Sequence, residues 1–310
     1  MNKNSKWCAL WVLASVVALA APGVSQACAC GCGIFDVGTG AMFPTHTGGM
    51  VFLEQDFMDQ NQNWSGTASA PAGNNSDQRI RTNFWTLGVQ YTFDRKWTAV
   101  VELPYWERRF TTIGDRGLPA TFDHGALGDV RLKGIYTGFS EDLSSGLTFG
   151  LKLPTGDSRY ANFDPDTEIG SGSTDVLLGA YHLGRLTSDN RWSWFANGQW
   201  QQPLAFKSTY RPGSEINTVA GVYYDGWRFG RSWHIAPILQ VAGSYRRHDG
   251  GPLGHPEDSG YIRAFVTPGV EVDAGRTRIY ADVSRAAFTN ASGNQLVART
   301  LFKINVSVGF

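Results

Sequence analysis

The sequence predicts an all-β protein, an antiparallel transmembrane β-barrel of about twelve strands with both termini in the periplasm. Three observations predict this fold: a secretory signal, repeated alternation of apolar and polar residues, and connections that alternate strictly between short and long. The composition agrees, since 17% of the 310 residues are charged, 13% are aromatic and the mean hydropathy is −0.23. A barrel strand is apolar on one face only, which keeps its average hydropathy low.

The first 27 residues have the pattern of a secretory signal peptide. Lys3 and Lys6 precede an apolar run at 9–21, and small residues end the segment at Ala27. The apolar run is shorter than the roughly 20 residues that a membrane-spanning helix needs. Removal of this segment takes away two lysines and leaves 25 basic and 27 acidic residues, a net charge of −2.

The charge balance excludes several classes of protein. The full chain has 27 basic and 27 acidic residues, so no basic excess exists to neutralise phosphates, and nucleic acid is not expected as a partner. A disordered chain is also excluded, because such chains combine high net charge with few aromatic residues.

Alternation with a period of two, the β-strand pattern, recurs along the chain and is clearest at the C-terminus. One face of that segment is formed by Leu296, Ala298, Thr300, Phe302, Ile304, Val306, Val308 and Phe310. The terminal Phe310 resembles the signal by which the barrel assembly machinery recognises bacterial outer-membrane barrels. With this segment, the predicted strands are 47–58, 79–93, 96–110, 126–139, 145–156, 173–186, 191–204, 215–227, 233–248, 260–274, 277–290 and 295–310.

The connections between these strands predict which end of the barrel is which. Short turns alternate with long polar loops at 59–78, 111–125, 157–172, 205–214 and 249–259. Bacterial outer-membrane barrels have short periplasmic turns and longer outer loops, with an even number of strands. Strand aromatics are expected to form an interfacial girdle or to pack within the sheet: Trp85, Trp97, Tyr105, Trp192, Trp194, Trp200, Tyr223 and Tyr224.

The face opposite the apolar one is predicted to line the lumen, and it carries charges of both signs. The predicted lumen-lining residues are Glu54, Glu102, Asp129, Arg131, Lys133, Lys152, Arg263, Glu271, Asp282, Arg299 and Lys303, with Asp56, Asp273 and Arg278 beside them. These residues either form structural ion pairs or tune selectivity. The mixture of signs argues against a strongly anion-selective or cation-selective pore.

Four segments carry a family resemblance: VELPYW at 101–106, GALGDVRLKGIY at 125–136, LKLPTGD at 151–157 and GSGSTDVLLGAY at 170–181. In order and spacing they resemble an outer-membrane family named for the MetA pathway of phenol degradation, whose members look related to fatty-acid and toluene uptake barrels. The resemblance implies passage of aromatic or other small apolar compounds, and it assigns no binding residue. The Gly-Asp pairs in these segments, Gly128-Asp129 and Gly156-Asp157, are also typical of turns, here where strands meet outer loops.

The front of the predicted mature chain departs from that pattern. Cys28, Cys30 and Cys32 lie within five residues, and an odd number of cysteines cannot fully pair within one chain. Three thiolates this close suit Cu(I), or Zn²⁺ with a fourth ligand such as His46. The alternative is a flexible periplasmic leader or a plug of the lumen at 28–46.

Other candidate sites are weaker. Asp157, Asp164, Asp166 and Glu168 form an acidic outer loop that lacks the glycine of an EF-hand, so a solvated loop is expected rather than a calcium site. A lipid-facing esterase would need a Ser–His pair on the outer wall, and no serine motif accompanies the strand histidine His182. No enzyme is therefore expected.

The sequence thus divides into a signal peptide (1–27), a cysteine-containing leader or luminal plug (28–46) and an outer-membrane barrel (47–310). We expect the barrel to be a channel for passive passage of small molecules, aromatic or apolar, through the outer membrane of a Gram-negative bacterium. The alternative function is a barrel-anchored module whose cysteine cluster binds metal or docks a periplasmic partner.

Overall fold

The fold was obtained as a computed structural model that describes residues 43–44, 46–114, 117–230 and 233–310. The predicted signal peptide and most of the predicted leader lie outside these residues. The described part contains no helix long and apolar enough to cross a membrane.

Sixteen strand segments belong to one sheet in the described part of the chain. Two 3-10 turns, at Ala72–Asn74 and Pro256–Asp258, accompany them. The strands are β1 (Gly48–Gln60), β2 (Gln62–Gly66), β3 (Ala68–Ser69), β4 (Asp77–Thr92), β5 (Trp97–Ile113), β6 (Pro119–Leu127), β7 (Arg131–Tyr136), β8 (Ser145–Lys152), β9 (Thr174–Arg185), β10 (Trp192–Ala205), β11 (Glu215–Tyr224), β12 (Trp227–Phe229), β13 (Trp233–Arg246), β14 (Tyr261–Ala274), β15 (Thr277–Val297) and β16 (Thr300–Gly309).

The sheet closes on itself as a barrel. Strand β1 pairs antiparallel with β16 on one side and with β4 on the other. Segments β6 and β7 are two parts of one barrel strand, as are β11 and β12, while β2 and β3 form a small extension at the outer rim. The result is the predicted antiparallel barrel of twelve strands. Closure removes sheet edges and satisfies the backbone hydrogen bonds that lipid cannot satisfy.

The two faces of the barrel wall differ as the alternation predicts. On β16 the side chains of Lys303, Asn305 and Ser307 are buried in the interior, whereas Phe302 and Ile304 are exposed on the outside. Exposed apolar side chains recur on the other strands, and together they form a continuous outer band. Such a band is far larger than a soluble monomer exposes, and it has the character of a lipid-facing surface.

Aromatic pairs lie on the outer surface at the short-turn end. The rings of Trp97 and Tyr136 lie with their centroids 4.9 Å apart, and those of Trp192 and Tyr224 lie 5.0 Å apart, both pairs in a tilted arrangement. This arrangement has the form of an interfacial girdle. Tyr223 follows the other alternative, packing within the sheet, because its position on β11 points inward, where its ring packs near Phe195.

Two predicted boundaries are also wrong. The segment 111–125, predicted as a loop, is a strand hairpin, because β5 continues to Ile113 and β6 begins at Pro119. The last barrel strand begins at Thr300 rather than at residue 295, since the preceding strand extends to Val297 and pairs with β2. In both places the strands continue beyond the apolar band. Their outward residues are polar there, so the sequence no longer alternates between apolar and polar residues.

Candidate functional site in the barrel lumen

The structure places the predicted lumen-lining residues on the inner side of the barrel wall, apart from Arg299. Arg299 lies in the turn between β15 and β16, and its guanidinium stands 4.9 Å from the centre of the Trp64 ring. The inward side chains are buried or half-buried: Glu54, Glu102, Asp129, Arg131, Lys133, Lys152, Arg263, Glu271, Asp282 and Lys303. Whether they set selectivity stays a prediction.

The first charged cluster lies at the seam between the first and last strands. Lys303 Nζ is 2.8 Å from Glu54 Oε1 and 3.5 Å from Asp56 Oδ1. Asn305 Nδ2 donates to the second oxygen of Glu54 at 3.2 Å. Across the neighbouring strand, Asp282 accepts a hydrogen bond from Tyr280 Oη at 2.6 Å. One lysine therefore compensates several carboxylates that have been removed from bulk water.

A second pair lies on the adjoining wall, where Lys133 Nζ donates to Glu102 Oε1 at 2.8 Å. A third group lies at the inner mouth of the barrel. There Arg278 pairs with Asp273 at 2.6 Å and with Glu271 at 3.4 Å, and His234 Nδ1 lies 3.2 Å from Asp273. Charges of both signs therefore occur at each level of the lumen, as the sequence predicts.

The glycine-rich motifs of the family resemblance meet at one carboxylate. Asp129 Oδ1 accepts the backbone N–H of Gly156 at 3.0 Å, and its Oδ2 accepts the backbone N–H of Ser171 at 2.9 Å. Lys152 reaches the same group, with its Nζ 2.7 Å from Asp175 and 3.7 Å from Asp129. These motifs thus tie the outer loop to the wall.

Glycine is required where this loop meets the wall. A Cβ atom built on Gly156 would lie 2.8 Å from the Cα of Gly170, and one on Gly170 would lie 2.5 Å from the backbone of Gly156. Cβ atoms in proteins essentially never lie this close to non-bonded atoms. The two backbones can therefore approach each other only because both residues lack a side chain.

That outer loop, residues 153–173, folds over the lumen. Its residues Pro165, Asp166 and Ile169 line the internal cavity, and Ile169 is only 2% exposed. Lys207 Nζ holds it by pairing with Glu168 at 3.0 Å, and Arg108 donates to the carbonyl of Thr167. The expectation of a solvated acidic loop is therefore wrong for Glu168, whose side chain is 8% exposed, whereas Asp157 is exposed as expected.

Two carboxyl groups at this outer mouth, beyond the apolar band, have raised pKa values. Burial, together with the charges of Asp166 and Asp164, raises the pKa of Asp77 to about 8. Burial and Asp166 raise the pKa of Asp164 to about 6. Asp77 is 1% exposed, and its Oδ2 has no hydrogen-bond partner in the described part of the chain. The described residues include no group of three ligands arranged to hold a metal ion.

The cavity inside the barrel has a volume of about 190 Å³. Charged residues of β1, β5 and β7 line it beside the rings of Phe52, Phe84 and Trp106, and its aromatic wall is formed by Phe43 and Tyr181 next to Asn197 and Gln199. Phe43 stacks on Tyr181 with ring centroids 4.3 Å apart and lies 6.4 Å from Phe195. All three rings are buried in the interior. The lumen can therefore accommodate an apolar ring on one side and polar groups on the other.

Sequence reasoning missed this aromatic wall. The available signal was the alternation of side chains along β10, where every second residue points to the same face. Phe195 shares its face with the inward Ser193 and Asn197. Trp192 and Trp194 lie on the outer face. Phe43 carried no such signal, because it precedes the first strand.

The outer wall also carries a Ser–His contact that the sequence did not reveal. Ser145 Oγ lies 2.7 Å from His182 Nδ1, because the two residues are directly opposed on β8 and β9. In the described residues the other ring nitrogen of His182 has no carboxylate or amide partner to orient it, as a nucleophile–base pair requires. The contact is a cross-strand hydrogen bond.

The remaining predicted sites are placed as follows. Cys28, Cys30 and Cys32 lie outside the described residues, so metal binding there stays a prediction. Phe310 exchanges backbone hydrogen bonds with Gly49 at 2.9 and 3.0 Å and lies with its ring over that glycine on the outer face. Its role as an assembly signal also stays a prediction.

Comparison with solved structures agrees with the fold. The chain matches an outer membrane channel of Pseudomonas putida F1 with a TM-score of 0.65 and 15% identity, over 88% of this chain and 100% of that one. It matches the β domain of the Bordetella autotransporter BrkA with a TM-score of 0.53 and 12% identity, over 86% and 100% of the two chains.

These matches show that the chain shares its β-barrel fold with two outer-membrane proteins. No family model matches the sequence, and no curated protein matches it either. The resemblance to the phenol-degradation family therefore stays a prediction.

Proposed function

We propose that this barrel is a channel through which small molecules, aromatic or apolar in part, pass the outer membrane of a Gram-negative bacterium by diffusion. The observation that carries this proposal is the internal cavity of about 190 Å³, whose lining combines aromatic rings with charged side chains. Ligand sites typically combine apolar lining with a few placed polar groups. The structural similarity to the Pseudomonas putida channel supports the proposal.

The location and partners follow from the outer surface. A continuous apolar band with aromatic pairs at one end suits outer-membrane lipid as the surrounding medium. The terminal Phe310, packed at the barrel seam, suits recognition by the barrel assembly machinery. A mixed-sign lumen suits a channel without strong ion selectivity.

The test is solute flux through the full chain in proteoliposomes, with phenylalanine as an aromatic solute that crosses lipid poorly. Asn197 lines the cavity, and its neighbour Ala196 points outward from the same strand. We expect Asn197→Trp to lower the flux several-fold by filling the lumen and Ala196→Trp to leave it unchanged. No flux above that of protein-free vesicles would refute the proposal.

A further inference from the structure

A row of polar side chains crosses five neighbouring strands inside the barrel. Each strand contributes one residue to the row, and each residue is directly opposed to the next one across a strand pair. In order, these are Gln199 on β10, Asn217 on β11, Ser244 on β13, Arg263 on β14 and Thr289 on β15. All five are buried, with Asn217 fully enclosed and Arg263 only 3% exposed. Gln199 also lines the internal cavity, so the row begins at the cavity wall.

Several donors of this row are unused in the described part of the chain. The donors Arg263 Nε and Nη2, Asn217 Nδ2 and Gln199 Nε2 have no hydrogen-bond partner there, and neither has the acceptor Asn217 Oδ1. A buried amide or guanidinium without partners is costly, and most such groups in folded proteins are satisfied. Unused donors in a row that starts at the cavity wall with Gln199 and continues through Asn217 to Arg263 are therefore suited to an acceptor from outside the chain.

Arg263 also differs from the other inward cations. Lys133, Lys152, Arg278 and Lys303 each have a carboxylate oxygen within 4.0 Å. Among the described residues none places a carboxylate within that distance of Arg263, whose guanidinium instead covers the Tyr261 ring at 4.2 Å. In the described part of the chain, Arg263 is therefore a buried cation with no carboxylate within ion-pair distance.

The next inward row of the same strands is apolar. Val219, Ala242 and Phe265 are directly opposed, and each lies two residues from a member of the polar row. They belong to the buried cluster that contains Phe43, Tyr181 and Phe195. Residues two apart on a strand are roughly 7 Å apart, about the length of a benzene ring with its substituent.

We propose that Arg263 and Asn217 bind the carboxylate of a small aromatic acid whose ring lies against the apolar row. A guanidinium donates two parallel hydrogen bonds to a carboxylate, and the Asn217 amide adds a third donor. The inference rests on the proposed function, since the acid must enter the lumen, and it assigns a class of solute to it.

The test is isothermal titration of benzoate into the purified full chain at pH 7, compared with benzyl alcohol, which has the ring without the charge. The variants are Arg263→Met, which keeps the chain length, and Arg81→Met, which removes an arginine from the outer face of β4. We expect Arg263→Met to weaken benzoate binding about tenfold or more and to leave benzyl alcohol binding unchanged. Arg81→Met should change neither.

Thermal unfolding of the same proteins provides a second readout. Benzoate should raise the unfolding temperature of the wild type and not that of Arg263→Met, whose own unfolding temperature should equal or exceed that of the wild type. Equal benzoate affinity in wild type and Arg263→Met would overturn the inference, as would equal affinity of the wild type for benzoate and benzyl alcohol. If phenylalanine still crosses proteoliposomes, only the inference fails; absence of flux refutes the proposed function itself.

Discussion

Lys303 on the last strand lies with its Nζ atom 2.8 Å from Oε1 of Glu54 on the first strand, so a buried ion pair joins the two strands that close the barrel. Both side chains are less than 9% exposed. Removal of one partner from such a pair leaves the other charge buried and uncompensated.

We therefore expect Lys303→Met to destabilise the barrel by about 3–5 kcal/mol. The reason is that Glu54 and Asp56 would lose their shared cation. The measurement is the urea unfolding midpoint in lipid vesicles, with Lys96→Met in an exposed turn as the control. Identical midpoints for Lys303→Met and the control would show that the seam pair contributes nothing.

The contact between Gly156 and Gly170 leads to a prediction about the outer loop. Gly156→Ala should displace loop 153–173, because the added Cβ would lie 2.8 Å from backbone atoms of Gly128 and Gly170. We expect a loss of about 1–3 kcal/mol and faster proteolytic cleavage within the loop. Gly134→Ala is the control, since its Cβ would have no neighbour closer than 3.9 Å. Unchanged cleavage of Gly156→Ala would contradict the close packing.

The outer mouth should loosen as pH rises. Burial raises the pKa of Asp77 to about 8 in the folded protein, whereas in an unfolded loop region the same carboxyl has its ordinary pKa of 3.8. Between these two pH values the Asp77 carboxyl is protonated only in the folded protein. The contribution of Asp77 to the stability of the outer mouth is therefore fully present below about pH 4, and it is lost as the pH rises to about 8. Proteolysis of loop 153–173 should be faster at pH 9 than at pH 5.

Asp77→Asn should reduce this difference, because its side chain stays neutral at both pH values, and the remainder should come from Asp164, whose pKa of about 6 lies within the same range. Asp94→Asn, in an exposed turn at the opposite end, should keep the wild-type response. Equal cleavage of the wild type at pH 5 and pH 9 would be inconsistent with a protonated Asp77.

Phe310 leads to a prediction about assembly. Its ring covers Gly49 and its backbone pairs with the same residue, so the chain end is part of the barrel seam. We expect Phe310→Ala to reduce the fraction of folded barrel in outer membranes several-fold, measured by heat-modifiable electrophoretic mobility. Phe302→Ala, an outward residue of the same strand, should have a smaller effect. Equal effects of the two substitutions would count against a special role of the terminus.

Much of the fold was predictable from the sequence, because a strand with lipid outside and polar groups inside must alternate. The parity of Lys303 and Phe302 alone identifies the faces of β16. The inward folding of loop 153–173 was not predictable, since it depends on contacts of Arg108 and Lys207, which lie 59 and 39 residues from their loop partners. Phe43 lies in the segment 28–46, for which a luminal plug was one of the two predictions, but its contact with Tyr181 was not predictable, because Phe43 precedes the first strand.

The central claim is that the lumen conducts, and single-channel recording of the full chain in planar bilayers tests it most directly. We expect stepwise conductance in symmetric potassium chloride and a reversal potential near zero in a salt gradient, because inward charges of both signs occur at each level of the lumen. Bilayers that remain silent after insertion of folded protein would contradict it.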